Sequence, residues 1–274
     1  MNRPIHIMGL LAMICTCISI GSVRGQTQAH YWPNGQKKSE GDTLNGQMTG
    51  TWTNWRENGS KLSEGEYLEG NQAGTWTYYY PNGEKWSEVS IDSGMSTAWY
   101  MNGNKEKKGP IFNGEKEGKW SYWYNTGQNK RSCVYSKGVL DGPFLSWHEN
   151  GQTEFKGIYV NGQPDGACKW WYPNGNIDME GSMKEGKHMS IWIFYFENGQ
   201  KGSTGPFKEG VQHGNWMYWY EDGPLWREGT FINGEMDGEW KVYYENGSMQ
   251  RTGSFAGGVE DGLWKSWYPT NNSS

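Results

Sequence analysis

A two-residue turn signal recurs through this chain at a nearly constant interval. Gly35, Gly59, Gly83, Gly103, Gly127, Gly151, Gly175, Gly199, Gly223 and Gly247 close ten such signals. Eight are Asn-Gly, one is Asp222-Gly223 and one is Thr126-Gly127. Eight of the nine intervals are 24 residues, and the step from Gly83 to Gly103 is 20. A chain with that period is an array of one small unit, each copy burying its apolar surface on its neighbours. One elongated domain follows, rather than the one or two compact domains that length alone suggests.

Gly223 to Gly247 shows the unit: a return strand, a second loop of the form Asn-Gly-x-x-x-Gly, and an outgoing strand. Asn-Gly favours a type I′ turn, in which both central residues take positive φ. The flanking runs are rich in aromatic residues and Thr, which suit a pleated surface. The chain holds 41 Gly, 18 Trp, 17 Tyr and 8 Phe, so flat rings replace the usual aliphatic core. The expected fold is all-β: about ten hairpins in one elongated, twisted antiparallel meander sheet.

With Asn58-Gly59 as central turn residues, Trp52 faces Gly65 across the hairpin. The same register sets Trp120 opposite Cys133, Trp192 opposite Gly205, Trp216 opposite Gly229 and Trp240 opposite Gly253. A Trp laid over its cross-strand Gly covers bare backbone and explains both residues. Cys133 and Cys168 fall two units apart, roughly 20 Å at ~4.8 Å per strand, so two free thiols are expected.

Side-chain alternation splits the rings between two faces. The first face carries Trp52, Trp76, Trp120, Trp192, Trp216, Trp240 and Trp264, and is the expected buried side, covered by coiling of the sheet about it. The second carries a row that includes Trp55, Trp99, Trp123, Trp147, Trp171, Trp219 and Trp267, the candidate binding surface. Lys37, Lys61, Lys85 and Lys105 form a ladder in the first four hairpins. The register sets Lys85 opposite Tyr80 and Lys105 opposite Tyr100. That ladder is a candidate anionic-ligand strip, with cation–π contact as the structural alternative.

Residues 1–25 read as a secretory signal peptide: Arg3, a mostly apolar run from Ile5 to Ile20, and small residues near Gly25. Export to the periplasm, outer envelope or medium is expected, with residues 26–270 as the repeat domain and 271–274 as a disordered tail. Cleavage removes Arg3 and Arg24 and takes the formal charge from -5 to -7. Such a chain has no overall attraction to nucleic acid or to anionic lipid, except through the Lys strip. The short unit at 83–103 reads as a loop deletion or as a hinge between 31–86 and 99–268.

No nucleophile motif, phosphate loop or metal-ligand spacing is found. His188 and His213 lack a third ligand and read as solvated loop residues. Asp141, Asp165, Asp237 and Asp261 recur before the loop glycine as turn residues. The expectation is no enzyme and no cofactor.

The string Y-x-N-G followed by E-G-x-[YF]-x-x-G-x-x-x-G-x-W-x-x-[WY]-Y resembles the bacterial variant of the MORN repeat, over Tyr31 to Tyr268. The resemblance implies a hairpin sheet used as an interaction surface, with no catalytic residues. It leads to three functional expectations: an exported protein-binding scaffold, a glycan or cell-wall module using the exposed Trp row, and an antitoxin-like inhibitor of a partner protein.

Overall fold

The computed structural model describes residues 25–269. Residues 1–24, nearly all of the expected signal peptide 1–25, and residues 270–274, which include the expected tail 271–274, lie outside the described residues. From Gln26–Tyr31 to Val259–Ser266 the described chain is all strand and turn, 24 strand segments hydrogen-bonded antiparallel into one open meander. Each long inner strand pairs with the long strands before and after it, and the two-residue segments Glu115–Lys116, Gln163–Pro164 and Val211–Gln212 pair with the strand before them, so each hairpin is hydrogen-bonded to its neighbours in the meander.

The derived hairpin register holds through the strand interiors: Trp52 pairs with Gly65, Trp120 with Cys133 and Trp240 with Gly253. It slips by one beside each repeat-marking turn, where Trp55 pairs with Lys61 and Asn54 with Ser63. The slip follows from the turn itself, which is not type I′. Gly59 N–H donates to Arg56 O at 2.9 Å and Arg56 N–H to Ser60 O at 2.8 Å. Only the glycine has positive φ, +82°. This is a type I turn ending in a left-handed glycine with an adjoining bulge. The asparagine keeps negative φ because its Oδ1 accepts the Ser60 N–H at 3.0 Å, an Asx turn. The type I′ geometry sits instead in the second loop, where Asn45 and Gly46 have φ of 52° and 80°.

The first face is buried as expected, but laterally rather than by coiling. Trp52, Trp76, Trp120, Trp216 and Trp240 are 1–2% exposed and Trp192 is 0% exposed. Trp216 is flanked edge-on by Phe207 and Phe231, with ring centroids at 5.1 and 6.2 Å, and stacks on Phe194 and Tyr218. Parts of this arrangement recur: Trp192 meets Phe207 edge-on and stacks on Phe194, and Phe231 and Phe255 flank Trp240 edge-on.

Which glycine each indole covers differs from the expectation. Trp52 lies over Gly41, Trp76 over Gly65, Trp120 over Gly109, Trp192 over Gly181 and Trp216 over Gly205. Each ring therefore leans away from its hairpin mate, onto the return strand before it. A bulge is the reason. Between the pairs Glu40–Thr53 and Asp42–Thr49 the outgoing strand carries extra residues, with Gly50 at φ 64°. The widened ladder gives the indole N–H a carbonyl: Trp52 Nε1 donates to Asp42 O at 3.0 Å, Trp120 to Pro110 O at 2.9 Å and Trp216 to Pro206 O at 3.0 Å.

Cys133 and Cys168 are free and buried, as expected. Burial pushes the Cys168 thiol up to about 11 and raises that of Cys133. Cys133 stands where other units have glycine, and the residue above it is the smaller ring Phe144. Cys168 occupies a Trp position, and Phe155 turns in to cover Gly157. The short unit stays in the sheet: Ser87, Glu88 and Val89 pair with Ala98, Thr97 and Ser96.

Candidate functional site

Two systems of side chains stitch successive units together on the turn edge. Tyr124 Oη donates to Trp147 O at 2.8 Å, Tyr172 to Tyr195 O at 2.9 Å and Tyr220 to Tyr243 O at 3.0 Å, each 23 residues ahead. The turn asparagines add a parallel row: Asn174 Nδ2 donates to Glu197 O and Asn198 Nδ2 to Glu221 O, both at 2.8 Å. This edge is thereby self-satisfied.

The second face is open. Its Trp residues are half-buried and Trp267 is exposed. The Lys ladder lies on them. Lys37 stands over the Trp55 ring at 5.4 Å, Lys85 over Trp99 at 5.7 Å and Lys105 over Trp123 at 6.0 Å, while Lys61 covers Tyr79 at 5.2 Å. The lysines thus meet the ring one unit ahead. Their strand partners are Tyr79 for Lys85 and Trp99 for Lys105, not Tyr80 and Tyr100. The turn bulge causes that one-residue shift.

Three of the four are also ion-paired, Lys37 with Glu40 at 2.8 Å, Lys61 with Glu64 at 2.7 Å and Lys85 with Glu88 at 2.5 Å. Lys61 is the main reason that Glu64 is held below the usual carboxylate range, with a hydrogen bond from Tyr79 second. The candidate anionic strip and the candidate Trp row are therefore one contact system. Lys169 also stands over Trp171 at 5.9 Å, here from two residues earlier on the same strand. Among the described residues no cation stands over Trp147, Trp219 or Trp267.

His188 is not a solvated loop residue. Its ring lies 4.1 Å from that of Trp192 and stacks on Phe207 at 4.8 Å, and burial lowers its pKa. His213 accepts the Asn233 N–H at 3.4 Å. Asp165 accepts from Lys184 at 2.9 Å and from the Glu185 N–H at 3.4 Å, so these loop acids tie one second loop to the next.

Cross-strand partners trace one row along the open face: Glu40, Thr53, Glu64, Thr77, Glu88, Thr97, Lys108, Ser121, Ser132, Leu145, Lys156, Lys169, Glu180. The row is zoned. It alternates Glu and Thr up to Glu88 and then has no carboxylate until Glu180. Within that interval the face forms a trough of about 830 Å³, lined by residues that include Val134, Leu145, Trp147 and Ile158. A second hollow of about 500 Å³, with Ile191 and Ile193, continues it. Sequence reading missed this trough. Its signal was aliphatic residues at positions where other units carry Thr, Ser or Glu.

An open sheet of stacked hairpins, each bonded only to its neighbours, defines the class as a β-repeat protein. Five segments, residues 72–92, 140–161, 164–185, 212–233 and 236–256, match the model of the MORN repeat variant. The chain carries five repeats of the MORN repeat variant. No curated protein matches the sequence. Similar solved structures include the crystal structure of TcdB2-TccC3, with 11% identity and a TM-score of 0.22 over 83% of this chain and 14% of that one. Another is TcdB2-TccC3 without its hypervariable C-terminal region, with 11% identity and a TM-score of 0.21 over 83% of this chain and 13% of that one. Both scores lie below that of a shared fold, and the chain spans a small fraction of either length.

Proposed function

We propose that this protein is a non-catalytic, exported interaction scaffold that holds a partner protein on its second face. The carrying observation is asymmetry. The indoles at the centre of the first face are buried ring on ring, and its exposed Trp86 and Trp226 pack on tyrosines, while the turn edge pairs amide with carbonyl; the second face instead presents aliphatic side chains to solvent, with Ile158 49% and Ile191 65% exposed. Exposed aliphatics within a polar face mark interaction surfaces.

The test is chemical crosslinking and capture from the native envelope, using the intact protein and an Ile191→Glu/Ile193→Glu variant. One stoichiometric partner, crosslinked to the second face and lost in the variant, is expected. A partner retained at full occupancy by the variant overturns the reading. N-terminal sequencing of the mature protein tests export, with a start near Gly25 expected. The glycan reading is weaker, because lysines already occupy the rings of Trp55, Trp99, Trp123 and Trp171.

A further inference from the structure

The trough at the centre of the second face has a composition found nowhere else on that face. It crosses five strands, from Gly118–Trp123 to Gly166–Trp171, roughly 20 Å at ~4.8 Å per strand. Its floor is Val134, Leu145 and Ile158, and Trp147 closes it toward the turn edge. Lys119 and Lys156 stand on its walls. Both are exposed, and neither forms an ion pair among the described residues.

These features set the trough apart from its neighbours in the array. Lys37, Lys61 and Lys85 each have a glutamate three residues on, and Lys169 has Glu180 at 2.6 Å. No carboxylate lines the trough beside Lys119 and Lys156, and Glu180 of the adjoining hollow is taken by Lys169, in a chain whose formal net charge is -5. Trp147 is likewise uncapped. Asn129 lines the trough where the lysine of an earlier unit would reach over the ring. An apolar floor with open cations above it complements an apolar body bearing an anionic head. The volume of about 830 Å³ lies within the ~300–1,000 Å³ of small-molecule sites.

We propose that the trough binds a small amphipathic anion, an acyl or aryl carboxylate or sulfonate. The apolar body lies on Val134, Leu145 and Ile158 against the Trp147 ring, and the head pairs with Lys156 or Lys119. The proposal goes beyond the scaffold reading and stands without it, since it needs no protein partner.

The test uses the full mature protein and 1-anilinonaphthalene-8-sulfonate, displaced by monomeric dodecanoate and compared with dodecanol and dodecyltrimethylammonium. Saturable binding of one probe per chain is expected, with dodecanoate displacing it and the neutral and cationic analogues weaker by about tenfold or more. Lys119→Gln/Lys156→Gln lowers anion affinity by a similar factor and removes the preference over dodecanol. Leu145→Asp/Ile158→Asp abolishes binding. Lys241→Gln, on the same face but remote, leaves it unchanged. Circular dichroism confirms the fold of each variant, and if the aspartate pair unfolds, the glutamine pair decides alone. The proposal is overturned by no saturable binding, by equal binding of dodecanol, by unchanged affinity in the glutamine pair, or by binding confined to micelles and vesicles.

Discussion

At the scale of the residue, the unit rests on a glycine that lies beneath an indole eleven positions later, as Gly205 does beneath Trp216. A Cβ at Gly205 falls inside van der Waals contact of that ring, so Gly205→Ala forces the indole off its carbonyl and its neighbours apart. The expected loss is about 2–4 kcal/mol, read as a lower urea midpoint, because overpacking and a broken buried hydrogen bond act together. Gly205→Ala/Trp216→Phe recovers part of that loss, since Cys133 beneath Phe144 is the chain's own version of the exchange. A double variant no more stable than the single one rejects the account. The signal for this contact was present in the sequence. Trp76 faces Val89 and Trp120 faces Cys133 across their hairpins, so glycine is not required opposite the ring, whereas both have glycine on the preceding strand. Register alone assigns opposition. It does not say which way a side chain leans, and the bulge that decides this leaves only a loop glycine as its trace.

At the scale of the element, the repeat-marking turn does two jobs with one dipeptide. The Asn Oδ1 closes its own turn, and its Nδ2 reaches the next turn. That double use explains the predominance of Asn, since Asp222 and Thr126 supply no amide donor. The position two residues before the asparagine is equally selective. Trp32, Arg56, Tyr80, Tyr124 (before Thr126) and His148 share only a donor atom, and each donates to the carbonyl of the following unit, with Phe196 the exception that has no donor. Tyr172→Phe keeps the ring and removes the donor to Tyr195 O. It costs about 1 kcal/mol, and the same substitution at Tyr220 costs as much. Equal stability of both variants with the parent in urea rejects the stitching role. Sequence reading treated the Lys ladder and the second-face Trp row as separate candidate sites, whereas the lysines stand over rings of that face. They meet because each lysine crosses to the next unit, a distance that strand pairing within one hairpin does not reveal.

At the scale of the whole molecule, repeated contacts become a pH response. Burial, then hydrogen bonds to Glu64, Glu180 and Glu228, push Tyr79, Tyr195 and Tyr243 up to about 12. Unfolded tyrosines ionise near 10. Between those values the unfolded chain holds fewer protons than the native one, so stability falls as pH rises. Urea midpoints constant up to pH ~9 and falling from pH ~10 to 12 are expected, with tyrosinate absorbance rising at unfolding. A midpoint that does not fall across that range contradicts the tyrosine–glutamate clasps.

The array is also uneven along its length, and the weak place is the short unit. On the first face, rings run from Trp52 through Tyr67 and Trp76 to Trp86 and Tyr80. Beyond the short unit they resume at Trp120 with Tyr122 and Tyr135, and Phe144 and Phe207 carry them through the linked core clusters to Trp264. The short unit has Ala98 in the core and Val89 uncovered by an indole. In a repeat protein, stability is a sum of unit and interface contributions, so the interface lacking an indole is the place where the two halves uncouple. Backbone pairing across it is intact, which makes it a weak joint within a continuous sheet. Hydrogen exchange followed by mass spectrometry should show Lys85–Ser90 and Met95–Trp99 exchanging fastest among the inner strands. Residues 26–90 should open before residues 105–266 as urea rises. Replacing Ser93–Ser96 with the complete Asn233–Trp240 loop restores the four missing residues and an indole at that position, and Val89→Gly supplies the surface for it to cover. Together the two changes should merge the two unfolding steps into one. Protection that is uniform across residues 83–103 in the parent would place the joint elsewhere.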